Sequence, residues 1–84
     1  FYSTGLNLYI KNDGLYVYDI FDKEVKSNYD ILPDDEIIKI NNLDAFPYYK
    51  IYESLQENGT SDVTYLMKRN NFKYEIKLPM KIYI

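Results

Sequence analysis

From Leu6 onward, apolar residues occupy every second position of a short run of the chain. Leu6, Leu8 and Ile10 lie on one face of this run, and polar or aromatic residues lie on the other. Such alternation is typical of a half-buried strand. Asn12-Asp13-Gly14 is a turn signal, and an apolar and aromatic run over Leu15–Phe21 follows it. The two runs together predict a β-hairpin.

A third strand is predicted over Glu36–Ile40, between two tight turns. Ile37 and Ile40 supply its apolar faces. Asp34 precedes the strand and Asn42 follows it, at positions where we expect a left-handed backbone. Asp and Asn tolerate that conformation better than most side chains do.

Two helices are predicted, one long and one short. The longer one covers Pro47–Asn58, where Pro47 suits the first turn and Gly59 suits the position just past the end. Its apolar residues recur at helical spacing and form one stripe: Tyr48, Ile51, Tyr52 and Leu55. The polar segment Asp22–Asp30 predicts one or two short helical turns at most.

The last third of the chain predicts a second hairpin. Val63, Tyr65 and Met67 alternate with other residues in its first strand. Phe72–Leu78 alternates apolar and charged residues and is the cleanest strand pattern of the chain. Met80–Ile84 is compatible with a last edge strand or with a tail. The element order is therefore strand, strand, short helix, strand, helix, strand, strand.

These elements predict one mainly β domain over residues 1–84, with two helices and five to six strands. A chain of this size has one core and buries about 60–65% of its unfolded surface. Because the chain starts with Phe1 rather than Met, we interpret it as a domain excised from a longer protein. Neither an internal repeat nor a signal peptide is evident in the sequence.

The composition removes several classes of function. With no Cys, the chain forms no disulfide and has no thiol chemistry. It also has no His, the commonest general base and metal ligand. The net charge of −3 gives no bulk attraction to nucleic acid or to an anionic membrane. No run of about 18 apolar residues is present, so we expect no membrane span.

Two motifs resemble those of PDZ domains. Residues 31–42 read Ile-Leu-Pro-Asp-Asp-Glu-Ile-Ile-Lys-Ile-Asn-Asn. They are similar to the family signature of an apolar residue, Gly-Asp, apolar positions and Asn-Gly, with Asp34 and Asn42 in place of the glycines. Gly5-Leu6-Asn7-Leu8, preceded by Ser3-Thr4, resembles the Gly-apolar-Gly-apolar loop, with Asn7 in place of the second glycine.

The element order adds to this resemblance, which covers Thr4 to Leu78. Only Phe1–Ser3 lies before the Gly5 loop, and the additional strand Phe72–Leu78 lies at the other end. This order looks like the circularly permuted PDZ domains of bacterial proteases, in which the C-terminal strand replaces the missing first one. It is also similar to PDZ-like domains appended to retropepsin-type aspartic proteases.

The resemblance implies a PDZ-like, partly open antiparallel β-barrel or sandwich that binds peptides and catalyses nothing. The loop N–H groups would face a peptide's C-terminal carboxylate, and the peptide, or another extended segment, would add as a strand beside Leu8–Ile10. Tyr48 would contact the peptide residue two before the end, and Tyr52 would narrow the groove. The implied peptide-binding residues are Thr4, Gly5, Leu6, Asn7, Leu8, Tyr9, Ile10, Tyr48, Tyr52 and Leu55.

The implied partners are a peptide or protein segment and a parent protease domain, for which the module would recruit or gate substrates. The family resemblance also favours the cell envelope, the periplasm or a secreted protein. No catalytic residue, cofactor or metal is predicted.

Two rival hypotheses remain open from the residues alone, a structural domain and a small enzyme or metal protein. If Tyr48 and Tyr52 both turn inward, the groove is filled by the domain itself and the domain is a structural one. The acids Asp34-Asp35-Glu36 suggest a cation, but calcium needs about six or more oxygens, which this short loop does not supply alone. Asn58-Gly59-Thr60 matches the glycosylation sequon, a pattern that is frequent by chance.

Overall fold

The computed structural model describes residues 1–57, 59 and 61–84. The elements in chain order are β1 (Tyr2–Ser3), β2 (Leu6–Lys11), β3 (Gly14–Ile20), α1 (Lys23–Asn28), β4 (Glu36–Ile40), β5 (Leu43–Asp44), α2 (Tyr48–Glu57), β6 (Val63–Arg69), β7 (Phe72–Leu78) and β8 (Lys81–Ile82). The predicted mainly β domain with two helices is confirmed. The strand count is higher than five to six because β1, β5 and β8 have two residues each, too few for an alternating pattern to show.

Most strands form one antiparallel sheet. Its order is β2-β3-β4-β6-β7, with β5 paired to β4, while β1 and β8 form a separate two-stranded sheet. Both predicted hairpins are present, β2 with β3 and β6 with β7. After the turn that follows β4, Leu43 returns to pair with Ile40 as part of β5. The sheet places β2 at one margin and β7 at the other.

The tight turns have the expected left-handed backbone. Asp34 has φ 73° and Asn42 has φ 67°, which confirms the two predictions. In the β2–β3 turn, Asn12 and Asp13 have φ 50° and 59°. Two successive residues with positive φ fit the right-handed twist of the flanking strands, so this turn sets the hairpin's register.

The core is formed by apolar side chains of the sheet and of both helices, with Val25 contributed by α1. Ile37 and Ile40 of β4 are almost completely buried, as their predicted apolar faces require, and Met67 of β6 is buried beside them. Ile51 and Leu55 are the buried residues of α2. Every buried side-chain polar atom in the described ranges has a hydrogen-bond partner.

The ends of two elements differ from their sequence patterns. Phe72 starts the alternating apolar face of β7, yet it is 69% exposed because it lies at the hairpin tip on the margin of the sheet. Helix α2 starts at Tyr48, one residue after Pro47, and its described part ends at Glu57. Its predicted last residue and the sequon positions, Asn58 and Thr60, lie outside the described residues. Gly59 has φ 65°, the left-handed value expected just past a helix end.

The buried carboxylate of Asp35 links the loop before β4 to β6 and to β7. Arg69 of β6 donates from Nε to Asp35 Oδ1 at 2.8 Å and from Nη2 to Oδ2 at 2.7 Å, and the hydroxyl of Tyr74 in β7 donates to Oδ2 at 2.6 Å. The backbone N–H of Leu32 donates to the same carboxylate. Burial acts to raise the pKa of Asp35, but these donors outweigh it and hold the pKa below its ordinary value. The carboxylate therefore fixes the loop that leads into β4.

Neither helix, within the residues that the structure describes, is long and apolar enough to cross a membrane.

Candidate functional site

A groove with a volume of about 380 Å³ lies between β2 and α2. Leu6 and Leu8 line it from the strand, and Leu55 lines it from the helix. The remaining lining side chains come from the start of the chain, β2, the end of β3, α2, β6 and the approach to β8: Phe1, Tyr2, Ser3, Thr4, Asn7, Phe21, Tyr48, Tyr52, Gln56, Tyr65 and Met80. The lining of the groove therefore consists of apolar side chains, with the hydroxyl and amide groups of polar side chains between them.

The apolar face of β2 becomes more exposed along the strand. Leu6 is 8% exposed, Leu8 is half-buried and Ile10 is 57% exposed. Among the described residues β2 pairs only with β3, so its other margin has no partner strand. An unpaired margin presents backbone N–H and C=O groups to any extended chain beside it. This margin combines open backbone groups with uncovered apolar side chains.

A second hollow extends the groove past the start of α2. Its volume is about 570 Å³, and its lining is almost wholly apolar. Ile10 and Tyr49 belong to it, together with Phe46, Pro47 and the acid Glu53. Tyr48 and Tyr52 line both spaces. The two hollows therefore meet at these tyrosines.

The two tyrosines contact each other edge to face. The ring centroids of Tyr48 and Tyr52 are 6.0 Å apart and the ring planes cross at 61°. Tyr48 is half-buried against the core, and burial, with a smaller effect of the Tyr52 hydroxyl, raises the pKa of Tyr48. Tyr52 remains 46% exposed. The pair narrows the groove at this point.

The turn before β2 requires its glycine. Gly5 has φ 93°, and a Cβ there would collide with the side chain of Asp22. The Gly5 carbonyl accepts from the N–H of Phe21 at 2.9 Å, and the Gly5 N–H donates to Ser3 Oγ at 3.0 Å. The Gly5 carbonyl therefore holds the turn against the end of β3, while the Gly5 N–H is bound within the turn.

Asp22 joins this turn to α1 and to the end of the chain. Its Oδ1 accepts from the N–H groups of Glu24 and Val25 and so caps α1. Its Oδ2 accepts from the Tyr83 hydroxyl at 2.6 Å and from Lys81 Nζ at 3.0 Å. The hydrogen bond from Tyr83, then that from the Val25 N–H, lowers the pKa of Asp22 to about 2, with Lys81 adding to the effect against partial burial. Asp22 is therefore ionised at neutral pH.

Two contacts at the groove were not predicted from the sequence. Thr4 Oγ1 and the Tyr65 hydroxyl share a buried hydrogen bond of 2.7 Å. Gln56 of α2 bonds to both backbone groups of Tyr2 in β1. Gln56 follows Tyr52 by four residues, so the helical period does place it on the groove side. No sequence signal places β1 opposite it.

The residues predicted for the site do not all lie in one place. Seven of them line the groove: Thr4, Leu6, Asn7, Leu8, Tyr48, Tyr52 and Leu55. Ile10 lies in the second hollow, and Gly5 forms the turn. Tyr9 lies on the opposite face of β2, where its ring stacks on Tyr16 at 5.5 Å and its hydroxyl donates to Asp34 Oδ1 at 2.6 Å. The Tyr9 side chain therefore takes no part in lining the groove.

The three successive acids of the β4 approach point to different partners. Asp34 accepts from Tyr9, Asp35 is bound by Arg69, and Glu36 lies in β4 opposite Lys68. In residues 1–57, 59 and 61–84, no group of three or more acids is placed to hold a metal ion.

No protein-family model matches the chain, and no curated protein matches its sequence. The geometry of the groove therefore carries the functional argument.

Proposed function

We propose that this domain is a PDZ-like, non-catalytic module that binds a peptide C-terminus or an extended segment as an added strand beside β2. The observation that carries the proposal is the margin of β2. Among the described residues it has no partner strand, and it faces α2 across the groove lined by Leu6, Leu8 and Leu55. The module would recruit or gate substrates for a parent protease, as the family resemblance implies.

Strand addition explains why the site has both backbone and side-chain components. Hydrogen bonds along the strand margin supply affinity without regard to sequence, while alternate side chains of the added chain enter pockets and supply selectivity. Here the alternate side chains would meet Leu6 and Leu8 first, and then Tyr48, Tyr52 and Ile10 in the second hollow. The site is thus suited to large apolar side chains.

The left-handed turns support the PDZ-like reading of the sequence. Asp34 and Asn42 stand where the family has glycines, and both have the positive φ that such glycines provide. Asn7, in place of the second loop glycine, lies within β2 instead. The strand order supports the permuted type, because β7 follows β6 as an additional strand while only the short β1 precedes Gly5.

The proposal is tested with a library of short peptides, with free and with amidated C-termini, whose binding is followed by the backbone amide signals of the protein. We expect the signals of residues 6–11 to shift with dissociation constants from micromolar to millimolar. Leu8→Asp places a charge in the groove and should weaken binding by about tenfold or more. The control Phe72→Asp, at the far hairpin, should bind as the unchanged protein does. If no peptide binds up to millimolar concentration, the proposal is wrong.

A structural domain with a filled groove is the second candidate. The edge contact between Tyr48 and Tyr52, and the half-burial of Tyr48 against the core, favour it. On this view the unchanged protein binds nothing, and Tyr52→Ala creates a binding site by opening the groove. On the first view the unchanged protein binds, and Tyr52→Ala changes which side chains are accepted.

The parent's chemistry is tested separately. A sequence that extends upstream of Phe1 into an aspartic protease, together with loss of substrate cleavage in the Leu8→Asp variant of that protein, would support the proposed role. If the Leu8→Asp variant cleaves its substrate as the unchanged protein does, the domain binds peptides without controlling the protease.

A further inference from the structure

We infer that the second hollow is a further side-chain pocket of the same site, so that the domain selects extended segments with two large apolar residues four positions apart and a small residue midway between them. This inference rests on the proposed function and names the class of segment that the site takes.

The groove face of β2 is regular along the whole strand. The residues opposite Leu6, Leu8 and Ile10 in the β2–β3 ladder are all buried: Ile20, Val17 and Leu15. The ladder contains a bulge, but its extra residue, Tyr18, belongs to β3, so the alternation along β2 is uninterrupted. A strand added at the free margin therefore places every second side chain on this same face, between β2 and α2.

The two walls of the site have comparable lengths. The strand rises about 13 Å from Leu6 to Ile10, and the helix rises about 10 Å from Tyr48 to Leu55. Leu6 and Leu55 line the groove, whereas Ile10 lies in the second hollow. An added strand that places one side chain beside Leu6 therefore places the side chain four residues away beside Ile10, at the second hollow.

The second hollow presents uncovered apolar side chains. Tyr49 is 66% exposed and Phe46 is 39% exposed, and Ile10 is exposed beside them. Of the described residues in its lining, Glu53 alone carries a charge. Exposed apolar residues gathered in one place mark a binding surface. The volume of about 570 Å³ is ample for one large side chain.

The two tyrosines between the hollows limit the middle position. Tyr48 and Tyr52 line both spaces, and their edge-to-face contact narrows the site there. The side chain that an added strand places beside Leu8 meets these rings. A small residue fits at this position, while a large one forces the rings to move.

The test uses four acetylated pentapeptides, each made with a free and with an amidated C-terminus. The reference is Phe-Ser-Ala-Ser-Leu, and in the others Phe is replaced by Ala, Phe is moved one position to give Ser-Phe-Ala-Ser-Leu, or the middle Ala is replaced by Phe. We expect the reference to bind about tenfold more tightly than the peptide without Phe, because a large apolar side chain is buried. The shifted peptide should bind as weakly as the one without Phe, since its ring lies on the opposite face of the added strand.

Variants of two exposed tyrosines locate the effect in the second hollow. Tyr49→Ala removes one wall of the hollow and should reduce the advantage of the reference over the peptide without Phe by about threefold or more. Tyr18→Ala removes a similarly exposed ring of β3 that lines neither space, and it should leave the advantage unchanged. Tyr52→Ala should improve the binding of the peptide with Phe in the middle, which the unchanged protein should bind more weakly than the reference.

The outcomes separate this inference from the proposed function. If the peptides with and without Phe bind equally, or if the advantage of Phe persists in Tyr49→Ala, the inference is wrong while the proposed function stands. A free protein that dimerises, and whose dimer is lost in Tyr49→Ala, would show that the hollow takes a second copy of the chain and would also overturn it. If no peptide binds in either form up to millimolar concentration, the proposed function is wrong and this inference with it.

Discussion

The side-chain amide of Gln56 forms two hydrogen bonds with the backbone of Tyr2, accepting from its N–H at 3.2 Å and donating to its carbonyl at 3.0 Å. An amide on a helix thereby pairs with β1 as a neighbouring strand would. The contact fixes the C-terminal part of α2 relative to β1. Because Gln56 and Tyr2 both line the groove, the contact also sets the groove's width at the Gly5 end.

Replacing Gln56 with Ala should lower the free energy of unfolding by about 1–2 kcal/mol, because both backbone groups of Tyr2 lose a partly buried partner. It should also weaken peptide binding by widening the groove. Urea denaturation measures the first effect and peptide titration the second. The neighbouring exposed change Glu57→Ala should stay within about 0.5 kcal/mol of the unchanged protein. Equal effects of the two substitutions would contradict a positioning role for Gln56.

Gly5 and Gly59 form a matched pair for testing the turn. Both have positive φ, so a side chain at either costs about 1–2 kcal/mol in backbone strain. At Gly5 the new Cβ would collide with Asp22, whereas at Gly59 no atom of the residues that the structure describes, apart from the chain neighbours, lies within 4 Å. We expect Gly5→Ala to be clearly the more destabilising substitution by thermal unfolding. A similar loss at both sites would show that the turn moves freely away from Asp22.

Arg69 bonds to two acids of very different burial, and this gives an internal control. Asp35→Asn leaves the guanidinium without its buried charge partner and should cost about 2–3 kcal/mol of unfolding free energy, since Arg69 remains partly exposed. Asp30 is largely exposed and its Oδ2 lies 3.6 Å from Arg69 Nη1. Asp30→Asn should therefore cost at most about 0.5 kcal/mol. The denaturant midpoints of the two variants at pH 7 measure the two losses of unfolding free energy.

Stability should fall on acidification through a window set by Asp22 and Asp35. The folded pKa of each is lower than its ordinary value of 3.8, and that of Asp22 is about 2. A carboxyl with a lowered pKa contributes stability that is complete above the unfolded pKa and is lost as the pH falls through the folded one. We expect the midpoint of urea denaturation to decline as the pH is lowered from about 4 to about 2.

The variant Asp22→Asn provides the control for that window. It should be less stable than the unchanged protein at pH 7 and should show a smaller decline below pH 4. A decline of the same size in both proteins would mean that Asp22 is not the titrating group.

The buried pair of Thr4 and Tyr65 should be energetically coupled. Thr4→Val or Tyr65→Phe alone leaves one hydroxyl without its partner and should cost about 1–3 kcal/mol. The double variant should cost less than the sum of the two by about 1 kcal/mol, because no hydroxyl is left unpaired. Additive losses in urea denaturation would show that the 2.7 Å contact does not stabilise the fold.

Local sequence was sufficient for much of the fold. The hairpin of β2 and β3, the stripe of α2 and the left-handed Asp34 and Asn42 depend on neighbours in the chain, and each is present. Local sequence could not predict the contacts between residues that are distant in the chain. Asp35 and Arg69 are 34 residues apart, and Gln56 and Tyr2 are 54 apart. Periodicity reports which side of an element is apolar, but not which other element covers that side.

The sequence by itself determined the longer strands and the two helices, their order, and the apolar faces of those strands and of α2, because these follow from backbone preferences and from spacings of two or about four residues. It placed Leu6, Leu8 and Ile10 on one face without distinguishing them. Only the tertiary structure decided that Leu6 is covered, that Ile10 is open and that the margin of β2 faces α2 across a groove. Those outcomes depend on where the helix and the short β1 lie, and long-range packing fixes those positions.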